Sequence, residues 1–169
     1  TLLLMLSAVF FLLSSENALA NRVAAAELAY KWVSDSTYLV TYTFYRDCGG
    51  TTEPANIRVC YFNTCNTDNG SVLLTKRTPL SSNGTIGEPG KGCSSAPATT
   101  CTSPATVLKG FRKWVYEGTI TLPSKCATWK FAVSLDARNA GSTNYAALAT
   151  NNMYTEATLN NIDAPTSSS

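Results

Sequence analysis

The chain has 169 residues, 44% hydrophobic and only 14% charged, with 13 Lys and Arg against 11 Asp and Glu, six cysteines and no histidine. A formal net charge of +2 spread along the chain is not the footprint of a nucleic-acid binder. The absence of histidine excludes the usual Ser-His and Cys-His mechanisms for this chain.

An almost unbroken apolar run, Leu2 to Leu13, comes first, followed by polar Ser14, Ser15, Glu16 and Asn17 and then by small Ala18 and Ala20. An apolar stretch of roughly 7 to 15 residues ending at small residues three and one before a cut has the form of a secretory signal. Residues 1–20 therefore read as a cleavable signal helix, with the mature chain beginning at Asn21. The run is short of the about 18 apolar residues that a membrane span needs. The polar break at Ser14 to Asn17 also argues against a continuous assembly helix of pilin type.

Strand signals dominate residues 21–162. Glu27 to Val33 alternates, with Leu28, Tyr30 and Trp32 on one side. Tyr38 to Tyr45 is rich in aromatic and β-branched residues, with Tyr38, Val40, Tyr42 and Phe44 on one face. Ser34-Asp35-Ser36 between them predicts an N-terminal β-hairpin. Further strands are expected at Asn56 to Phe62, Val72 to Arg77, Val107 to Lys109, Arg112 to Leu122, Trp129 to Leu135 and Met153 to Asn160. Turns are expected at Asp47 to Gly50, Asn66 to Gly70, Asn83-Gly84 and Pro123-Ser124. Seven or eight short strands with such turns predict an all-β, antiparallel β-sandwich of immunoglobulin-like type. Ser81 to Pro104, rich in Gly, Ser, Pro and Thr, forms the longest loop. Residues 163–169, Asp-Ala-Pro-Thr-Ser-Ser-Ser, have linker composition and are read as leading to a further downstream module.

Cys48, Cys60, Cys65, Cys93, Cys101 and Cys126 form an even set, which in an exported chain reads as disulfide staples. Six cysteines allow 15 pairings, and spacing does not choose among them. The intervals of 11, 4, 27, 7 and 24 residues lack the close ligand pairs of a zinc site, so no metal is expected. Paired carboxylates could hydrolyse a glycoside, and Glu27, Glu117, Asp136 and Glu156 are available, but they sit in or beside strands without a motif and read as surface charge. No catalytic residue and no cofactor are assigned. Lys109, Arg112 and Lys113 make a local basic cluster that reads as a solvated strand face. Asp68-Asn69-Gly70 has oxygen ligands but lacks the rest of a calcium loop, and an Asn-Gly turn explains it better. Trp32, Trp114 and Trp129, with Tyr30 and Tyr116, could stack on sugar rings. Trp114 and Tyr116 share one strand face, and two large rings on one face favour core packing.

Several segments together carry a resemblance. Val23 to Trp32, Thr37 to Val40 running into Phe44 to Cys48, Trp114 to Pro123, Cys126 to Trp129, Arg138-Asn139-Ala140, and Tyr154 to Asn160 followed by Asp163-Ala164-Pro165 occur in this order across nearly the whole mature chain. In this it resembles the N-terminal module of large secreted or cell-surface proteins of Bacteroidetes, labelled gliding motility-associated or carrying immunoglobulin-like or PKD domains. The resemblance implies pairings of Cys48 with Cys126, Cys93 with Cys101 and Cys60 with Cys65, and a sorting domain farther along. Asp136-Ala137 stands where similar proteins often carry two cysteines. The expected function is that of a non-catalytic extracellular structural or adhesive module. Its partners would be an extracellular surface, a polysaccharide or neighbouring protein modules, with no nucleic acid and no membrane span. A carbohydrate-binding module of a secreted hydrolase is the alternative, and a polymerising fibre or pilus subunit a further one.

Overall fold

The computed structural model describes residues 23–50, 52–77, 84–86, 98–103, 106, 108–135, 152–162 and 168. The leader, most of the long Ser81 to Pro104 loop, Cys93, Asp136 and nearly all of 163–169 lie outside them.

The all-β reading is borne out. Among the described residues eight strands build one antiparallel sheet, with no helix. They are β1 (Val23–Ser34), β2 (Thr37–Asp47), β3 (Asn56–Phe62), β4 (Asn69–Lys76), β5 (Gly84–Ile86), β6 (Phe111–Thr121), β7 (Trp129–Leu135) and β8 (Met153–Leu159). Their order is β1-β2-β6-β4-β3-β7-β8, with β5 pairing β6 beside this path. The strands are thus hydrogen-bonded in one continuous sheet. It curls over an apolar interior, so that Tyr30 of β1 meets the far end: its hydroxyl donates to the Thr158 carbonyl of β8 at 2.8 Å, and its ring packs edge-on to Phe131 of β7.

Each strand contributes to the core through its alternation. On β2, Tyr38, Val40, Tyr42 and Phe44 all point inward and are almost fully buried, as their spacing predicts. Ile57 and Val59 of β3, Leu74 of β4, Tyr116 and Ile120 of β6, and Trp129, Phe131 and Val133 of β7 complete the cluster with Leu159 of β8. The β1–β2 hairpin turns through Asp35 and Ser36, Asp35 taking a left-handed φ of 43° that Asp tolerates better than most residues. β2 and β6 pair without interruption from Thr37 opposite Thr121 to Asp47 opposite Phe111, and form the spine of the sheet. Gly118 lets β4 approach β6, since a Cβ there would lie 2.7 Å from Leu74 Cδ2.

Three local expectations are corrected. Leu108 and Lys109 are not strand: the Leu108 carbonyl accepts from the Thr100 amide, which turns this segment into part of a Thr-rich loop. Asn69 and Gly70 open β4 instead of making a turn, because Asn63 closes the hairpin loop earlier by accepting the amides of Cys65 and Asn66. The implied cysteine pairings are also overturned. Cys48 bonds Cys101 and Cys65 bonds Cys126, while Cys60 is exposed and unbonded on the outer face of β3. The reason is strand order, which places the β3–β4 loop beside the segment before β7.

Candidate functional site

A cluster of ionisable side chains lies where the inward row of β2 ends. After Tyr38, Val40, Tyr42 and Phe44 the next inward position is Arg46, 6% exposed, so an apolar row closes on a guanidinium. Glu53, in the loop after β2, lies 3.9 Å from Arg46 Nη2 and accepts from Lys76 Nζ of β4 at 2.7 Å. Burial pushes the Glu53 carboxyl up, but the Lys76 hydrogen bond, a backbone donor and the charges of Lys76 and Arg46 outweigh it, leaving its pKa below the usual range. Lys76 also sits 4.9 Å from the centre of the Trp114 ring, a cation–π contact. Next along β2, Asp47 is fully buried, with Lys109 Nζ 3.8 Å away.

A cavity opens against this cluster, lined by Val23, Phe44, Arg46, Thr52, Glu53, Pro54 and Leu135. Its volume of about 10 Å³ holds one water molecule at most. The Tyr116 hydroxyl donates to the Pro54 carbonyl at 2.6 Å and pins the loop that carries Glu53. Burial, then the Glu53 charge, raise the Tyr116 pKa, so this phenol stays protonated and donating at neutral pH.

Of the four carboxylates proposed from sequence, the three described ones stand on different strands, each with its own partners. Glu117 on β6 takes hydrogen bonds from Arg77 and from Thr41 Oγ1, the Arg77 bond chiefly holding its pKa below the usual range. Glu156 on β8 is lowered by its hydrogen bonds from Lys130 and Tyr154. Glu27 accepts from Tyr45 at 3.3 Å, and Asp136 lies outside the described residues. A general acid needs a raised carboxyl pKa, the opposite of what Glu117 and Glu156 have.

The three indoles occupy three different settings. Trp129 is completely buried and its Nε1 donates to the Ser124 carbonyl at 3.3 Å. Trp114 is half-buried, with Lys76 over its ring. Trp32 is 38% exposed near the hairpin tip, its Nε1 donating to the Asp35 carbonyl. They form no row, which corrects the three-ring platform. Trp114 and Tyr116 do share a face as expected, and Val115 on the opposite face is buried too.

Two loop knots flank the sheet. At one end Thr99, 1% exposed, organises residues 99–103: its hydroxyl accepts the Cys101 amide and its carbonyl the Thr102 and Ser103 amides. The Cys48–Cys101 bond and the Cys48 amide on the Gly110 carbonyl tie this knot to the end of β2. Gly110 allows it, since a Cβ there would meet Cys101 Sγ and Thr99 Oγ1 at 2.5 Å. At the other end Cys65–Cys126 joins the β3–β4 loop to the segment before β7. Asn161, after β8, accepts the Cys126 amide at 2.7 Å and donates to the Ser124 carbonyl at 3.1 Å. Asp68 of the would-be calcium loop accepts from Asn66 Nδ2. Among the described residues no group of three or more His, Cys, Asp or Glu is placed to hold a metal ion.

The sequence singled out the cysteines and indoles but missed Arg46, Glu53, Thr99 and Asn161. Arg46 was legible in principle as the polar residue that continues an inward period-2 row. No family model, no curated protein and no solved structure matches the chain.

Proposed function

We propose that this chain is a non-catalytic, disulfide-stapled extracellular module that serves a secreted bacterial surface protein as a structural or adhesive unit. The observation that carries the reading is the placement of the two disulfides, which fasten the loop knots at Cys48–Cys101 and Cys65–Cys126 onto a sheet already filled with aromatic side chains. Such bonds form and persist in oxidising compartments, in keeping with export. Burial of the core rings, and of Thr99, Cys126 and Asn161 within the loop knots, favours a rigid surface over a cleft built to enclose a substrate.

The test is on cells that express the parent protein. Labelling of the module by an impermeant reagent on intact cells, and reduced attachment to protein- or polysaccharide-coated surfaces after its deletion, are expected. Labelling only after cell lysis overturns the reading. A carbohydrate-binding module rests on Trp32, the exposed indole among the described residues. Retardation of the purified chain in polysaccharide gels, abolished by Trp32→Ala, would favour that alternative.

A further inference from the structure

The two disulfides differ in how they face solvent. Cys48 and Cys101 are both half-buried, whereas Cys65 is exposed in the β3–β4 loop and Cys126 is 0% exposed. A disulfide exchanges when a thiolate attacks one sulfur in line with the S–S bond and the other sulfur leaves, so access decides which sulfur is attacked. An incoming thiolate reaches Cys65 from solvent and expels Cys126. Attack on Cys126 would have to come from the protein side of the bond.

The sulfur that leaves is already surrounded by donors. The Thr128 amide donates to Cys126 Sγ at 3.4 Å, and Thr128 Oγ1 lies 3.2 Å from the same sulfur against 4.0 Å from Cys65 Sγ. A disulfide sulfur carries no proton, so the Thr128 hydroxyl is the donor in this contact. The Thr64 hydroxyl, bonded to Thr128 Oγ1, then donates into it from behind. Hydrogen bonds to sulfur strengthen as it gains negative charge, and they offset the burial that by itself would disfavour a thiolate. The main chain beside each sulfur is anchored independently of the S–S bond. The Cys65 amide donates to Asn63 Oδ1 at 3.0 Å, the Cys126 amide to Asn161 Oδ1 at 2.7 Å, and the Cys126 carbonyl accepts from the Asn161 amide at 3.2 Å. The two sulfurs therefore stay neighbours when the bond is open, which places Cys126 to attack a mixed disulfide at Cys65.

We propose that Cys65 is a thiol-exchange site and Cys126 its resolving thiolate, the pair through which a small external thiol or dithiol opens and closes this disulfide. In the opening step the external thiolate forms a bond to Cys65 Sγ, the S–S bond breaks, and its electron pair leaves on Cys126 Sγ, held by Thr128. With a dithiol, the second thiolate then attacks the external sulfur of the mixed disulfide and releases the Cys65 thiolate, so the dithiol is oxidised and the cystine reduced by two electrons. Closing runs in reverse: Cys126 attacks a mixed disulfide at Cys65 and expels the external thiol. Opening frees the β3–β4 loop from its covalent tie to the segment before β7. This exchange chemistry goes beyond the surface-module reading and does not depend on it.

The test uses the whole chain carrying Cys60→Ser, so that the exposed thiol on β3 does not compete. The folded chain is treated briefly with excess reduced glutathione and quenched in acid. Free thiols are then labelled with a maleimide in denaturant, and the peptides are read by mass spectrometry. Glutathione is expected on Cys65 and maleimide on Cys126, in at least about tenfold excess over the reverse arrangement. Equal amounts of glutathione on the two cysteines, or an excess on Cys126, overturn Cys65 as the site of entry. The same quench follows opening by dithiothreitol. Thr128→Val should slow opening of Cys65–Cys126 by about tenfold, with Cys48–Cys101 opening at its parent rate, and Thr128→Ser should restore the parent rate. A merely structural role for Thr128 would loosen the segment and speed the opening. Opening of Cys65–Cys126 that is unchanged or faster in T128V therefore overturns Cys126 as a thiolate held by Thr128. None of these outcomes touches the surface-labelling result, so the two readings fail separately.

Discussion

Asn161 shows how much one polar side chain holds here. It is 4% exposed, and its side chain and amide bracket the Ser124–Cys126 segment through the Cys126 amide, the Cys126 carbonyl and the Ser124 carbonyl. Asn161→Ala would leave the buried Cys126 amide without its acceptor, at a cost of about 1–3 kcal/mol, read as a lower midpoint in urea with an unchanged slope. A midpoint within error of the parent would mean that water replaces the amide freely. At Tyr42, burial raises the phenol pKa to about 12, with a lesser opposing effect from a side-chain hydrogen bond with Thr155.

At the scale of elements, the two disulfides decide which loops are fixed. The Cys65–Cys126 bond closes a separation of 61 residues and joins the β3–β4 loop to the approach to β7, next to a fully buried Cys126. Replacing both partners by Ser should cost about 2–5 kcal/mol, the larger values expected for long closed loops. Cys60→Ser, on the outward side of β3, should change stability by no more than about 0.5 kcal/mol. The pair of measurements separates stapling from a general sensitivity to cysteine loss. Equal effects of the two changes would contradict the bonding pattern.

For the whole molecule, the ion pairs around the sheet set the response to acid. Glu53, Glu117 and Glu156 all have folded pKa values below the ordinary carboxylate range, so they bind protons more weakly when folded. Their contribution is complete above that range and is lost as pH falls through the depressed folded values. Glu53 matters most, because it is the most enclosed of the three and neutralises buried Arg46. Glu53→Gln should destabilise the chain by on the order of 2 kcal/mol at pH 7, and the deficit should shrink as pH falls below 4. A deficit that is constant from pH 7 to pH 3 would show that the carboxylate charge contributes nothing.

Period-2 alternation in β2 and the aromatic content of β6 and β7 determined the all-β class, most strand positions and the core face of Tyr38, Val40, Tyr42 and Phe44, because these are local properties of a pleated strand. Even cysteine number pointed to stapling in the same local way. Which cysteines meet was decided by strand order, a long-range property that no interval between residues encodes. The fate of each tryptophan was decided similarly: Trp129 and Trp32 look alike as residues of alternating strands, yet one faces the centre of a curled sheet and the other its rim. Arg46 continues an apolar row, and only the arrival of Glu53 from another segment makes its burial tolerable.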